Sequence, residues 1–581
     1  MFSFISFRLL LTVALFIDAT AMFHKRGLPD LSALPAEKRL RSNIADLFLT
    51  NDISGCRAKS IYDDAKAAGV VNLTGLTSSS SSNIRSAQGN ANRDLTKKLL
   101  KNQGWCQPYY AYIRVWDRKS QKEVRKWVPF LLPHEILFSL AICNDVRDLL
   151  GTDGMCDASK QHLDSIQPPA DNMIGLGLWS DGCPCNYDRT QSLEVWSLNL
   201  PGLVGNAAEM RIPVCVIQKR YLVKHGTADD IMSVLTWSFQ CCAVGKMPDK
   251  RHDGIPWLQL DAQRKKFSSR EIGVRGCLVE VRGDWIMYSD TFRLPSWSNK
   301  HNICWRCTAT KADIRKTGSD ASWRAQRRHH YDVIQVILAK GLSLPPLLSC
   351  PWFQTRCFLI DWLHVADLGT TADFIGSFFY LVLLPKMRGA SNKERCSHLF
   401  VRIRAFYRST HAENQLNDLV PTMFHSKKKG FKLSAKAAET RGLVPFCKQA
   451  AHDLLDRNDV SENTVIAACD ALSEMYDCLA ADVFTSQKLA DACRRFCTLA
   501  VALESTTAVK KGWRVKPKLH LLQEMCEMSD NRPSQMWTYR DESFGGDMAK
   551  AARARGGKNT PLQTGRNVLL KFCAKHRVPR F

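Results

Sequence analysis

Four strand-like segments and one helix, all between residues 173 and 284, constrain the fold of this chain more than any other feature. Apolar or alternating runs separated by turn-rich pieces are typical of strands, and they cover residues 173–181, 192–200, 212–223 and 276–284. The run at 228–244, before the last of these, predicts a helix. Three strands, a helix and a fourth strand predict an α/β domain built on a sheet.

Helical patterns replace strands after this domain. Residues 323–530 carry long apolar-periodic stretches, among them 373–384, 462–480 and 487–504. The sequence shows no repeat of fixed period and no Gly-rich phosphate loop. A large α-helical domain is therefore expected to follow the first part of the sheet.

Changes in composition divide the rest of the chain. Residues 105–165 contain two short strand patterns and an amphipathic helix, which predict a small α+β lead-in. Residues 22–104 are basic and polar with a serine run, which is typical of an arm or linker. The remaining segments are an apolar N-terminus (1–21), the sheet domain (166–322), the helical domain (323–530) and a final helix with a basic C-terminus (531–581).

The net charge favours a polyanionic partner. The chain has 81 Lys and Arg against 56 Asp and Glu, a formal charge of +25. Nucleic acid is the commonest such partner, because each neutralised phosphate releases counterions. Charge alone does not separate DNA from RNA or anionic lipid. The basic residues expected to contact nucleic acid are Lys427, Lys428, Lys429, Lys510, Lys511, Arg514, Lys516, Arg553, Arg555, Lys558 and Arg566.

The first 21 residues resemble a secretory signal. They hold a lone Arg8, an apolar run from Leu9 to Ile17 and a small-residue ending. This run is shorter than an ordinary transmembrane helix requires. Many of the 22 cysteines fall in apolar helical patterns, where reduced, buried thiols are expected, and this fits secretion poorly. We expect a nuclear location, with secretion as the alternative.

Three acidic residues lie at the ends of predicted elements. Asp181 ends the first strand and Asp284 ends the fourth. If these strands are parallel neighbours, the two carboxylates converge at one end of the sheet and can hold a pair of divalent cations. Glu542 begins a later helix and would complete the site, although Asp541 could be the ligand instead. The alternatives without a metal are an Asp-Gly hairpin turn for Asp181, a loop position for Asp284 and a favourable acid at a helix start for Glu542.

A C-x-x-C pair, Cys304 and Cys307, provides half of a possible zinc site. Two ordinary thiols or a disulfide are the alternative. The candidate partners for the other half are His301, His329, His330, Cys183 and Cys185.

Asp361, His364 and Asp367 form a further group of acids and a histidine, in the run FLIDWLHVADLGTT, and the first two are spaced to share a helix face. Because they share a helix face, they could belong to a metal site or a proton relay. A capped helix with a buried histidine is the alternative.

The order of these motifs resembles the transposases of plant CACTA elements and related hAT-type enzymes, which use a DDE carboxylate triad. The motifs span about residues 170–550 and read SDG, GDW, CWRC, IDWLHVADLG, KPKLHLL and MWTYRDESFGG. The resemblance implies an RNase H-like mixed sheet interrupted by a large α-helical insertion domain. It also implies a catalytic triad of Asp181, Asp284 and Glu542 that binds Mg²⁺ or Mn²⁺. Cys304 and Cys307 would be a metal or structural pair, with Zn²⁺ as the metal, and Asp361 and His364 a structural motif.

The function implied by the resemblance is metal-dependent cleavage and transfer of DNA strands. The partner would be transposon-end or target DNA, with a homo-oligomer as an option and without a small-molecule substrate. The family's usual N-terminal DNA-binding module is not visible in the sequence. Two alternatives therefore stay open: an inactive or domesticated nucleic-acid-binding protein of the same fold, and a secreted or membrane-surface basic helical protein.

Overall fold

The protein has a mixed α/β architecture in which a four-stranded mixed sheet is surrounded by many helices. It is described here by a computed structural model that covers residues 35–70, 88–101, 106–167, 171–186, 188–203, 210–426, 430–506, 512–553 and 561–579. The signal-like segment 1–21 lies outside these ranges. Buried apolar side chains of the sheet and of the helical half form one continuous core.

The central sheet contains all four strands expected from the sequence. Its strands are β3 (Met173–Pro184), β4 (Ser192–Asn199), β5 (Arg211–Gln218) and β6 (Arg275–Arg282), and they follow a hairpin of β1 (Tyr109–Asp117) and β2 (Lys122–Phe130). The order across the sheet is β5–β4–β3–β6. Strand β3 pairs antiparallel with β4 and parallel with β6, while β4 pairs antiparallel with β5. The strand–helix–strand reading of residues 173–284 is thus confirmed.

The N-terminal half also contains helices, both before the hairpin and between and after the strands. They are α1 (Ala36–Leu49), α2 (Gly55–Ala67), α3 (Gln88–Lys101), α4 (Pro133–Cys143), α5 (Val146–Leu149), α6 (Asp157–Asp164), α7 (Gly226–Val244), α8 (Ala262–Lys266) and α9 (Trp285–Asp290). Helix α7 lies between β5 and β6 in the chain and packs on β6 and on the hairpin.

Helices dominate the C-terminal half, as the sequence predicts. They are α10 (His330–Leu338), α11 (Leu363–Lys386), α12 (Asn392–Thr410), α13 (Ala437–Gly442), α14 (Val444–Leu454), α15 (Val460–Asp477), α16 (Ser486–Thr506), α17 (Lys518–Cys526), α18 (Pro533–Met536), α19 (Tyr539–Ala552) and α20 (Pro561–Lys575). Two short strands, β7 (His425–Ser426) and β8 (Gly430–Phe431), form a small hairpin. Helix α11 is long and apolar enough to cross a membrane, but 67% of its most apolar window is buried in the protein.

The segment expected to be an arm, 22–104, instead contains α1, α2 and α3. Its few apolar residues, including Phe48, Tyr62 and Leu95, are buried against one another and against Ala574 of α20. They recur at helical spacing, which the polar composition of the segment obscured. The described parts of this segment, residues 35–70 and 88–101, are therefore folded helices.

A buried ion pair holds α19 on the sheet. Asp541 in the first turn of α19 accepts hydrogen bonds from Arg211 of β5 at 2.7 Å and from Asn199 of β4 at 2.8 Å. Arg282 of β6 lies 3.9 Å from the same carboxylate. Asp541 itself is fully buried. Because a buried charge needs its partners, this contact determines where α19 begins relative to the sheet.

We expect Asp541→Ala to destabilise the protein strongly, by about 3–5 kcal/mol, because it removes the buried carboxylate to which Arg211 and Asn199 both donate. Asp547, an exposed acid on the same helix, is the matched control. Asp547→Ala should change the free energy of unfolding by no more than about 0.5 kcal/mol. Urea unfolding followed by tryptophan fluorescence measures both, and equal midpoints for the two variants would contradict this role of Asp541.

Candidate metal centres

Parallel pairing of β3 and β6 brings the two predicted aspartates to one edge of the sheet. Trp179 of β3 pairs with Arg282 of β6, and Asp181 and Asp284 each follow their member of this pair by two residues. Strand β3 continues past Asp181, which pairs with Val195 of β4. The Asp-Gly pair is therefore inside a strand and does not form the hairpin turn.

A third acid reaches the same edge from the segment before α11. Phe358 forms a parallel bridge with Val281 of β6, and the backbone N–H of Leu359 donates to the Val281 carbonyl at 3.0 Å. Asp361 follows Phe358 by as many residues as Asp284 follows Val281. Asp361 is consequently level with Asp284 at the edge of the sheet.

Helix α19 contributes Glu542 from above the sheet. Gly545 lies directly over Trp179 and Cys183 of β3, because a Cβ at this position would overlap with both side chains. Glu542 precedes Gly545 by about one helical turn, so it lies on the same face of the helix. Asp181 lies between Trp179 and Cys183 on the same face of the strand. The two carboxylates therefore face each other.

Asp181, His364 and Glu542 form a group that could hold a metal ion. One ligand atom from each lies within 4.8 Å of the ligand atoms of the other two. Oε1 of Glu542 is buried and has no hydrogen-bond partner among the described residues. Two carboxylates and an imidazole at this spacing suit a divalent cation. We call these three residues the acid group.

Asp284 lies beside the acid group but is not a member of it. Its Oδ1 accepts the backbone N–H of Met287 at 2.6 Å and so caps the short helix α9. Of the three acids expected from the sequence, the structure brings Asp181 and Glu542 together and leaves Asp284 adjacent. The carboxylate of Asp541, the alternative to Glu542, accepts hydrogen bonds from Arg211 and Asn199 and does not belong to the acid group.

His364 is a member of the acid group that the sequence analysis left between a metal site, a proton relay and a structural role. Its Nδ1 forms a hydrogen bond of 2.5 Å with Asp361, which leaves Nε2 for a cation. Asp361 is in turn held by the backbone N–H and the hydroxyl of Thr538, both at 2.9 Å. The carboxylate therefore orients the imidazole, as carboxylates commonly do behind metal-binding histidines.

Burial and crowding alter the protonation of the acid group. Burial raises the pKa of Glu542 to about 8, and the nearby charge of Asp181 adds to this rise. Burial lowers the pKa of His364, but the hydrogen bond and charge of Asp361 outweigh it and raise this pKa to about 9. Burial also raises the pKa of Asp284. At pH 7, Glu542 and His364 therefore both carry protons that a cation must displace.

A second group, which we call the cysteine group, consists of Cys304, Cys307, His520 and Glu524. All four are buried, with ligand atoms within 4.8 Å of one another. The Cys307 Sγ to His520 Nε2 distance is 3.3 Å. Glu524 Oε1 lies 3.9 Å from Cys304 Sγ and 3.6 Å from His520 Nε2. In tetrahedral zinc sites, bonds of about 2.0–2.3 Å place neighbouring ligand atoms roughly 3.3–3.8 Å apart. The spacing of the cysteine group suits zinc.

His520 and Glu524 lie about one turn apart on α17 and take the place of the partners suggested by the sequence. His301, His329, His330, Cys183 and Cys185 are not members of this group. The separation of 213 residues between Cys307 and His520 hid the pairing. The available signal was a His and a Glu on one helix face, four positions apart.

The surroundings of the cysteine group support metal binding. Arg327 donates to both carboxylate oxygens of Glu524, at 2.9 and 2.7 Å, and fixes its orientation. Burial opposes ionisation of Cys304, but hydrogen bonds from Cys307 and His520 outweigh it and lower the pKa of Cys304 to about 6. The thiolate is the form that binds metals.

The basic residues expected to contact nucleic acid are only partly described. Lys427, Lys428, Lys429, Lys510, Lys511, Arg555 and Lys558 lie outside the described residues. Arg514 and Arg566 are exposed, and Arg553 is partly buried at the end of α19. Lys516 forms an ion pair with Asp373 at 2.6 Å, so its charge is neutralised within the protein.

Binding of Mn²⁺ to the acid group at pH 7 should release roughly one to two protons, because Glu542 and His364 must lose theirs to act as ligands. The apparent affinity should accordingly rise with pH up to about 8–9. Calorimetric titration in buffers of different ionisation enthalpy measures the release. Glu542→Gln should reduce it by about one proton, whereas Asp547→Asn should not change it. Unchanged proton release in the Glu542 variant would contradict the assignment.

The purified protein should contain zinc in the cysteine group, and His520→Ala should lose most of it. The replacement removes one of four ligands, and the remaining three hold zinc more weakly. His301→Ala, at an exposed histidine near the C-x-x-C pair, is the matched control and should keep its zinc. Metal analysis of the three proteins checks this, and full zinc content in the His520 variant would remove that residue from the site.

A scan against protein-family models found no match to this chain, and a search of curated proteins found none either. The resemblance to CACTA and hAT transposases thus depends on the motifs in the chain itself. What the acid group and the cysteine group can do must follow from their geometry.

Proposed function

We propose that this protein cleaves DNA strands and transfers them in a metal-dependent reaction at the acid group, as DDE transposases do. The observation that carries the proposal is the convergence of Asp181, His364 and Glu542, with Asp284 beside them. These residues come from two neighbouring parallel strands and two distant helices. Carboxylates collected in this way at a sheet edge are the ligands that phosphodiester chemistry with divalent cations requires.

The arrangement of the sheet supports an RNase H-like fold. The order β5–β4–β3–β6, with β6 parallel to β3, is the one expected for such a sheet. The many helices between β6 and α19 are consistent with an α-helical insertion, because the chain leaves the sheet after Asp284, touches its edge once more at Phe358, and packs on it again with α19. We infer that residues 323–530 have this role.

Divalent cations at such a site activate the attacking oxygen and stabilise the leaving oxygen of the phosphodiester. Asp181 and Glu542 would hold the cation through oxygen, and His364 through Nε2. Asp284 uses Oδ1 for its helix cap, so Oδ2 is the oxygen it could offer. A set of carboxylates with one imidazole favours Mn²⁺ over Mg²⁺, because imidazole suits transition metals.

Lys518 supplies a positive charge beside the acid group. Its Nζ donates to the carbonyl of His364 at 2.6 Å. Burial lowers its pKa to about 8, and the charge of Lys432 lowers it further. Together with the net charge of +25, this cation favours a phosphate near the acids. Action on DNA places the protein in the nucleus in this proposal.

One observation favours the alternative of an inactive nucleic-acid-binding protein of the same fold. Asp284 lies outside the acid group and is engaged by α9. If this carboxylate never reaches a cation, the third acid of the triad is missing. Asp284→Asn tests whether the Asp284 carboxylate takes part in cleavage, because asparagine keeps the helix cap and removes the charge.

We expect Asp181→Ala and Glu542→Gln to reduce Mn²⁺-dependent nicking of supercoiled plasmid on the order of 100-fold or more, because each removes a cation ligand. DNA affinity should stay within about twofold, since it comes mainly from Lys and Arg. Asp547→Asn, on the exposed side of α19, should nick at the normal rate. Nicking assays and fluorescence anisotropy measure the two properties. Normal nicking by either acid-group variant would exclude that residue, and a wild-type protein without nicking would favour the binding-only alternative.

A further inference from the structure

The β1–β2 hairpin turns two large aromatic side chains toward solvent. Directly opposed residues of an antiparallel pair share a face, and Tyr112 is paired with Trp127. The alternate residues Ala111, Ile113 and Val115 are buried in the core. Tyr112 is 47% exposed and Trp127 is 40% exposed. Two adjacent aromatics left open to water are unusual, because covering them would stabilise the protein.

The two rings form a fixed platform. Their centroids are 5.2 Å apart, with an angle of 45° between the ring planes. The guanidinium of buried Arg251 lies 5.4 Å from the centre of the Trp127 ring. Arg251 is itself held by an ion pair with Asp261 and by a hydrogen bond of 2.6 Å to the Tyr110 carbonyl. The platform therefore exists before any ligand binds, which reduces the entropy lost on binding.

Basic residues lie beside the platform and at the tip of the same hairpin. Residues 112–127 contain six Lys and Arg against two acids. Two of the six basic residues are paired with acids: Lys126 with Asp117 at 2.8 Å and Arg114 with Asp230 at 2.6 Å. Arg125 lies beside the platform and donates to the Tyr112 carbonyl at 3.1 Å. Exposed Arg118, Lys119 and Lys122 follow at the tip of the hairpin. An apolar protein surface or a lipid core would not match this charge, whereas a polyanion with flat apolar rings does.

We propose that this face of the hairpin binds single-stranded DNA, with unpaired bases stacked on Tyr112 and Trp127 and phosphates held by the basic residues around them. Every base offers a ring face, so such binding tolerates sequence variation. Duplex DNA hides its ring faces in the base stack and gains only the charge contacts. The proposal uses the proposed function only for the choice of DNA, since strand cleavage exposes unpaired ends.

The test measures binding of a labelled twenty-nucleotide oligo(dT) and of a blunt duplex by fluorescence anisotropy, in buffer without added Mg²⁺ or Mn²⁺. The double variant Tyr112→Ala/Trp127→Ala should bind oligo(dT) at least about tenfold more weakly, because each stacked base contributes measurably. Its affinity for the duplex should change less than about twofold. The variant Tyr112→Phe/Trp127→Phe keeps both rings and should bind oligo(dT) nearly as wild type does. Tyr331→Ala, at a tyrosine that is 68% exposed on α10, is the matched control and should have no effect.

Three results would overturn the proposal. They are wild-type affinity of the double alanine variant for oligo(dT), equal losses for oligo(dT) and duplex, and equal losses in the alanine and phenylalanine variants. Binding of phosphatidylserine vesicles that depends on the pair, without binding of oligo(dT), would instead assign the face to a membrane surface. Because binding is measured without added Mg²⁺ or Mn²⁺, these outcomes are independent of the nicking assay. Thermal melting checks that each variant is folded, and unchanged binding of the duplex by the alanine variant shows that a loss of oligo(dT) binding does not come from unfolding.

Discussion

The buried contact between Asp541 and Arg211 is the interaction on which the acid group depends. Both carboxylate oxygens of Asp541 are bonded to the Arg211 guanidinium, and Asn199 shares one of them. Helix α19 cannot slide along the sheet without unpairing a buried charge, which costs several kcal/mol. Glu542 is the next residue in the chain, and its position over Asp181 follows from this contact. Close packing of Gly545 on Trp179 sets the height of the helix above the strand.

Two helices connect the acid group to the cysteine group. Helix α17 carries His520 and Glu524, and near its start Lys518 binds the carbonyl of His364 in α11. The hydroxyl of Tyr539 in α19 donates to Asp367 of α11 at 2.7 Å. A metal ion in the cysteine group would therefore stabilise α17, whose Lys518 holds the backbone of His364. The two groups have different ligands, but the contacts of α17 and α19 with α11 support both of them.

The acid group is an unfavourable arrangement when no cation is bound. Burial raises the pKa of Glu542, the facing carboxylate of Asp181 adds to this rise, and a proton therefore stays in the site. Asp361 compensates in part by holding His364 in its charged form. Such a local conflict is expected where function, and not stability, selects the residues. The aromatic pair on the hairpin is a second conflict of this kind, since it leaves apolar surface uncovered.

Local patterns in the sequence were enough to predict the strands, the helix between them and the helical half, because side-chain periodicity reports which face of an element is buried. They also selected Asp181 and Asp284, and the parallel register of β3 and β6 made the two residues level, although β3 continues past Asp181 to Pro184. They did not separate Glu542 from Asp541, because neighbouring residues at a helix start differ only in which one the sheet covers. His364, His520 and Glu524 joined their groups through contacts between distant segments, which no local pattern records. The sequence by itself determined the strands and helices and which side chains along them could bind a metal. Tertiary packing decided which ligands meet, because burial and pairing with Arg211, Thr538 and Arg327 turn each side chain toward its site or away from it.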